Sequence, residues 1–438
     1  MPLSERCEKK EEHPEILHIE VTNRCNVNCV MCIRRNWNAK LTDFNIDLYK
    51  NIARSSFPKL KRLALYGFGE PFVNANLPLM LELSKEYLSK DSEVMISTNG
   101  SLLVPQLSER LLKNNWVDEL SFSIDTVDVS KLSRIREGCK PETILKNLQY
   151  ITQARKSLEK ELKIGVEVVI MKDNIEDLPN LVESLVERDL DYIVLSHIVP
   201  YTREMFENST YTTLSRRSLE IIYSSVEYDK ASMYDAAYEI LAENCGIHAE
   251  QKMVEAYKKL WDKALENGYW INLPLLLKSE ESLKLVNQVE ECLRRSERMA
   301  NKYGLEFSFP KVFPDAKKRS CPYVDKNAIF IRSDGKVAPC MDFAYSHNLY
   351  VNMHMKKVHE VIFGDLREET IEDIWNGENY KELRNIRKNI DDNIPWCGDC
   401  QFSTLGCFFA ETNDRDCYAN ELGCGECLYS VGLSRCNM

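Results

Sequence analysis

The chain alternates between short β-rich runs and longer stretches with helical spacing. ILHIEV, KRLALYGFG, EVMISTNG, DELSFSID, KIGVEVVIM and YIVLSHIVP have strand length and are bounded by turn residues. Between them, LTDFNIDLYKNIARSS, NLPLMLELSKEYLSK, VPQLSERLLKNN, PETILKNLQYITQARKS and DLPNLVESLVERD repeat apolar positions every three or four residues. Thr42 or Asp43 is placed to cap the first of these helices. Strands that alternate with amphipathic helices pair in parallel through right-handed crossovers. Six such units predict an α/β fold, a partial (β/α)6 TIM-like barrel over residues 16–202, behind a polar leader at 1–15. From Arg203 the strand signal fades, and 203–300 reads as a helical insertion that covers the barrel, docks a partner or is a peripheral elaboration. GLEFSFPKV then predicts a short strand leading into a cysteine-rich end at 301–438.

Composition narrows the class. A formal charge of −11 argues against wrapping nucleic acid, which relies on an excess of Lys and Arg on at least one face. No run approaches the roughly 18 consecutive apolar residues of a membrane span, and MPLSERCEKKEEHPE has no apolar core for a signal or anchor. An acidic cytoplasmic enzyme without membrane or nucleic-acid partners fits best. Sixteen cysteines in such a chain point to metal or catalytic roles rather than disulfides. Cys25, Cys29 and Cys32 form one group, and nine more crowd the carboxyl end. Cys7, Cys139, Cys245 and Cys292 stand alone; the last three read as buried, inert thiols.

The first group, in CNVNCVMC, sets three thiols in eight residues with no neighbouring fourth. A structural zinc site closes with four ligands, and an iron-sulfur cube also normally takes four thiolates. Three thiolates leave one iron open. In barrels of this kind chemistry gathers at the carboxyl ends of the strands, and CNVNCVMC, GFGEP, STNG and SID all lie there.

These segments resemble the radical S-adenosylmethionine (SAM) enzymes. The resemblance implies a [4Fe-4S] cluster on Cys25, Cys29 and Cys32, whose open iron chelates SAM and whose electron cleaves it to a 5′-deoxyadenosyl radical. It implies SAM contacts from Gly67, Gly69, Glu70 and Pro71, from Ser97 and Asn99, from Ser123 and Asp125, and from Arg136 toward the carboxylate. Val168 and Ile198 are candidate adenine neighbours, with ordinary barrel core as the plainer role. Where the family often has an aromatic residue before the third cysteine, this chain has Met31, whose thioether can still pack on adenine. Asp342 is a location-based candidate acid or base. His197 and Tyr201 could line the cavity, with core or surface packing as the plainer role; His347, His354 and His359 could bind metal, although their irregular spacing favours solvated or hydrogen-bonded histidines.

Downstream, IFIRSDGKVAPC reads as a hairpin, with Gly335 five positions before Cys340. With WCGDC and the later cysteines, it resembles the SPASM extension of radical SAM enzymes. That resemblance implies two auxiliary [4Fe-4S] clusters on eight of Cys321, Cys340, Cys397, Cys400, Cys407, Cys417, Cys424, Cys427 and Cys436. The position expected to hold the next cysteine of the second group is Glu411, so Cys417 is the candidate replacement and the allocation stays open. Cys397, Cys400, Cys424 and Cys427 could alternatively close one zinc ribbon. DCYANELGCGECLYSVGLSRC, CPYVDKNAIFIRSDGKVAPC and SHIVPYTREM are similar to tungsten-cofactor oxidoreductase maturases. The resemblance implies an oxygen-sensitive enzyme that matures a tungsten aldehyde:ferredoxin-type oxidoreductase or its cofactor, fed by a low-potential donor such as ferredoxin or flavodoxin. Modification of a peptide or protein, by thioether formation or side-chain oxidation, is the second reading. A non-enzymatic iron-sulfur or zinc protein is the third.

Overall fold

The computed structural model describes residues 13–225, 230–241, 248–278 and 280–438. Cys7 and Cys245 lie outside the described residues. All six predicted runs form strands: β1 (Ile16–Ile19), β2 (Arg62–Ala64), β3 (Glu93–Thr98), β4 (Glu119–Ser123), β5 (Lys163–Ile170) and β6 (Tyr192–His197). Each pairs in parallel with the next. The helices α1 (Ile46–Ser56), α2 (Leu77–Tyr87), α3 (Pro105–Lys113), α4 (Val129–Ile135), α5 (Pro141–Ser157) and α6 (Leu178–Val186) lie between them. Proline opens α3 and α5, where its missing N–H costs nothing.

The cap of α1 is neither Thr42 nor Asp43. Asn45 takes that place, its side chain accepting from the amides of Asp47 and Leu48 at 2.9 Å. Thr42 and Asp43 instead hold the chain leaving β1. The Asp43 carboxylate accepts from Thr22 Oγ1 at 2.6 Å, and Thr42 N donates to Asn23 Oδ1 at 2.7 Å.

The sheet exceeds six strands. The short run near residue 306 forms β7 (Glu306–Ser308), parallel to β6. In the cysteine-rich end, β8 (Ala328–Ile331) pairs in parallel with β1. A turn at Gly335, φ +88°, then leads into the antiparallel β9 (Lys336–Ala338). A separate hairpin, β10 (His347–Val351) and β11 (His354–Val358), follows, and β12 (Gly364–Asp365) closes the edge on β9. The order is β12-β9-β8-β1-β2-β3-β4-β5-β6-β7. The main core lies between this curved sheet and its helices, with Leu17, Leu63, Ile96, Leu120, Val166 and Ile193 buried in it.

The helices of 203–302 divide in two. The last, Glu280–Lys302, packs on α6 and delivers the chain to β7, so it serves as a crossover helix. Those of 216–278 share a second core around Ile222, Tyr257, Leu260 and Leu276. That core braces the cysteine-rich end: Tyr257 OH donates to Gln401 Oε1 at 2.6 Å, and Asn272 Nδ2 to Cys400 O at 3.0 Å. Buried Asp399 accepts from Ser215 N at 2.8 Å and Ser218 Oγ at 2.9 Å. Among the described residues no helix is long and apolar enough to cross a membrane. Cys139 and Cys292 are only partly buried, and their thiols face the carbonyls of Leu132 and Ile175 at 3.8 and 3.3 Å.

Candidate active site

The loop after β1 carries the three thiols and is fixed from both sides. Asn28 N donates to Glu137 O at 2.7 Å and Val30 N to Ile135 O at 2.9 Å, tying the loop to the end of α4. On the other side, a Cβ on Gly69 would sit 2.2 Å from Thr22 O and 2.6 Å from Arg24 O. Two backbones meet there, and only glycine fits. A Cβ on Gly67 would likewise meet the side chain of buried Glu20 at 2.5 Å.

Cys25, Cys29 and Cys32 line one cavity of about 310 Å3 at the carboxyl ends of the strands. Burial raises the pKa of the Cys25 and Cys29 thiols and pushes Cys32 up to about 11. Buried thiolates therefore need a cationic centre to form. Donors already face two of the sulfurs: Asn99 Nδ2 is 3.8 Å from Cys25 Sγ and Arg136 Nη1 is 3.8 Å from Cys29 Sγ. Met31, Gly67, Gly69, Glu70, Ser97, Asn99, Ser123, Arg136 and Val168 all reach the same wall. Convergent thiols, a glycine cradle and donors aimed at sulfur fit a cluster with a bound ligand. Among the described residues no three His, Cys, Asp or Glu side chains converge as a single ion would draw them; these sulfurs surround a cavity rather than a point.

Three candidates stand behind the wall. Asp125 pairs with Arg136, 2.8 Å from Oδ2 to Nε, and accepts Val169 N at 2.9 Å, so it aims the arginine rather than lining the cavity. Pro71 is buried at the start of a short 3-10 turn, and Ile198 packs among Met31, Met171 and Tyr201. Glu70 is held in place: Thr98 Oγ1 and Asn99 N donate to it at 2.7 Å and Phe72 N at 3.3 Å. Burial raises its pKa to about 7, a shift that a cationic partner would reverse. His197 and Tyr201 reach the cavity, but His197 is a neutral core histidine, held by Thr210 at 2.8 Å and lowered to about 3 by burial.

The nine carboxyl-terminal cysteines fall into two groups. Cys321, Cys340, Cys424, Cys427 and Cys436 line a second, mostly apolar cavity with Arg387 and Asp342. Asp342 therefore belongs to this cavity rather than to the barrel mouth; burial above all, with the Asp342 carboxylate adding to it, raises the pKa of Cys340, Cys427 and Cys436. Cys397, Cys400, Cys407 and Cys417 form the other group: burial first, and then neighbouring thiols of the group, raise the pKa of Cys397, Cys400 and Cys417. The cavity lining groups Cys424 and Cys427 with Cys321 and Cys340, while Cys397 meets the turn between them, its N donating to Gly425 O at 2.9 Å. Between the groups lies the ion pair of buried Lys356 and Glu426, at 3.3 Å. His354 also faces Glu426 at 3.3 Å, while His347 lies 3.9 Å from Asp342 and His359 2.8 Å from Asp414.

Sequence reasoning missed the tail. Arg435, Cys436 and Asn437 line the barrel-mouth cavity together with Met341 and Tyr429. Asn437 Nδ2 donates to Glu167 Oε1 at 2.6 Å and to Ser121 Oγ at 3.2 Å inside the barrel, and Tyr66 OH donates to its carbonyl. No local pattern marks such an insertion; the thiol is the one chemical signal in SRCNM.

Comparison with known proteins bears on the segments that carry these residues. Residues 19–185 match the radical SAM superfamily and residues 321–401 the SPASM iron-sulfur cluster-binding domain. The chain is 28% identical over 427 residues to the tungsten-containing aldehyde ferredoxin oxidoreductase cofactor-modifying protein of Pyrococcus furiosus, covering 96% of each chain. It is 25% identical over 222 residues to the Fe-coproporphyrin III synthase of Methanosarcina barkeri, covering 49% of this chain and 51% of that one. Among solved structures, Streptococcus suis SuiB superposes with a TM-score of 0.50 at 16% identity, over 85% of this chain and 68% of SuiB, a likeness of fold. Residues 19–185 therefore carry a radical SAM domain and residues 321–401 a SPASM domain, in an enzyme whose cofactors are a [4Fe-4S] cluster, SAM and auxiliary iron-sulfur clusters.

Proposed function

We propose that this enzyme matures a tungsten-dependent aldehyde:ferredoxin-type oxidoreductase or its cofactor. The observation that carries the reading is the match to the Pyrococcus furiosus cofactor-modifying protein, which runs through the barrel, the helical segment and the cysteine-rich tail alike. Bound together, the reduced cluster and SAM supply a 5′-deoxyadenosyl radical for hydrogen abstraction. The protein's own residues position that chemistry. Cys25, Cys29 and Cys32 would hold the cluster. Glu70, kept in place by Thr98 and Asn99, would receive the methionyl ammonium, and Arg136, aimed by Asp125, the carboxylate. Met31 and Val168 would flank the adenine, and the cavity wall would exclude water. Reduced clusters and free thiols suit a reducing cytoplasmic setting with a ferredoxin- or flavodoxin-type donor.

The reading is tested with anaerobically reconstituted enzyme, SAM and a strong reductant. 5′-Deoxyadenosine forms, and Cys29→Ala abolishes it. Inactive oxidoreductase purified from cells lacking this enzyme then gains activity only when enzyme, SAM and reductant are all present, with no mass change on its polypeptide. A mass change without activation would support peptide or protein modification instead.

A further inference from the structure

Four thiolates complete an iron-sulfur cube, yet five thiols surround the second cavity. Four of them have the hydrogen-bond donors that steady a cluster ligand. Backbone amides of Val324, Phe343 and Ser430 face Cys321, Cys340 and Cys427, and Arg387 Nη2 lies 3.1 Å from Cys424 Sγ. Among the described residues no donor reaches Cys436. Its placement differs as well. Of the five, Cys436 alone also lines the barrel-mouth cavity, on a wall it shares with Tyr429. The flanking tail is pinned there, with Arg435 N donating to Ser196 Oγ at 3.0 Å and Asn437 to Glu167 at 2.6 Å.

We propose that Cys436 is a catalytic thiol rather than a cluster ligand, and that it donates a hydrogen atom to the carbon radical formed on the substrate. The inference rests on the radical reading of the barrel mouth. A thiol S–H bond is weaker than an aliphatic C–H bond, so the transfer runs downhill. The S–H bond breaks homolytically, a C–H bond forms on the substrate, and a thiyl radical remains on Cys436. One electron from the reduced auxiliary cluster held by Cys321, Cys340, Cys424 and Cys427, with one proton from solvent, restores the thiol. That cluster is oxidised by one electron and is re-reduced by the external low-potential donor. A position between the two cavities is what such a relay requires.

Two measurements on the reconstituted full-length enzyme test this. The first counts iron and acid-labile sulfide. Cys436→Ala keeps the wild-type content, whereas Cys427→Ala loses about one cube, roughly four irons per chain. Loss of a cube from Cys436→Ala would make it a ligand and overturn the proposal. The second uses SAM and dithionite alone in D2O, where the uncoupled 5′-deoxyadenosyl radical is quenched by the donor nearest to it. Wild type gives 5′-deoxyadenosine carrying solvent deuterium, because the thiol exchanges with solvent. Cys436→Ala lowers the deuterated fraction per 5′-deoxyadenosine formed at least several-fold. An unchanged fraction overturns the proposal, while no 5′-deoxyadenosine from wild type would overturn the radical reading itself.

Discussion

His18 and His197 are buried imidazoles that fold neutral. His18 contacts Tyr323 OH at 2.9 Å and packs beside Tyr66, and burial lowers both histidines to about 3. The sign of their effect follows from proton counting. Below the unfolded pKa, about 6.5, the unfolded chain binds a proton at each position and the native chain does not. Their contribution is therefore complete above about pH 6.5 and is lost as pH falls toward about 3, by about 1.4 kcal/mol per pH unit for each. His18→Gln removes one of the two. Its unfolding midpoint, followed by circular dichroism between about pH 7.5 and 5.5, drops less steeply than that of wild type, even though the variant starts lower. Equal slopes would mean that His18 takes up its proton over the same pH range in the native and the unfolded chain. The same burial explains why His197, legible in the sequence as a possible cavity residue, reaches the cavity and yet has both ring nitrogens turned to Thr210 and Lys311 O.

At the scale of elements, the alternation of strand and helix was legible because each unit buries a face whose period is written locally in the chain. ILHIEV and KIGVEVVIM could hardly be anything but buried strands, and β1 and β5 lie within them. The α1 cap is ambiguous in the sequence because Thr42, Asp43 and Asn45 are all good caps within four residues. Which one serves depends on the long-range bonds of Thr42 and Asp43 to Asn23 and Thr22, which no local window contains. Asn45→Ala therefore removes two capping bonds and costs about 1 kcal/mol, read as a lower denaturation midpoint. Asp43→Ala acts elsewhere, since its partners are Thr22 and Arg24 on the cysteine loop. The helical stretch 203–300 showed its spacing but not its purpose, because what it braces, the loop at Asp399–Gln401, lies over a hundred residues away.

The whole molecule is joined by contacts that sequence distance hides. β1 is paired on both sides, with β2 and with β8 some 310 residues later, and all four of its residues are buried. The cysteine-rich end is thus part of the same sheet as the barrel, and its last residues reach the barrel's polar interior at Ser121 and Glu167. A chain ending at residue 320 would leave β1 as an open edge with apolar side chains and unpaired backbone groups, the arrangement that templates aggregation. It would also uncover the barrel face that Tyr323 and Phe330 close over His18. The truncated protein is therefore expected in the void volume on size-exclusion chromatography, or insoluble, at concentrations where the full chain runs as a defined species. A soluble, monodisperse fragment with the helical and strand content of residues 13–320 would show instead that the barrel closes on its own. In that case the β1–β8 ladder would be a docking contact between independent units, and the route from the auxiliary cysteines to the barrel mouth through Cys436 would depend on that docking.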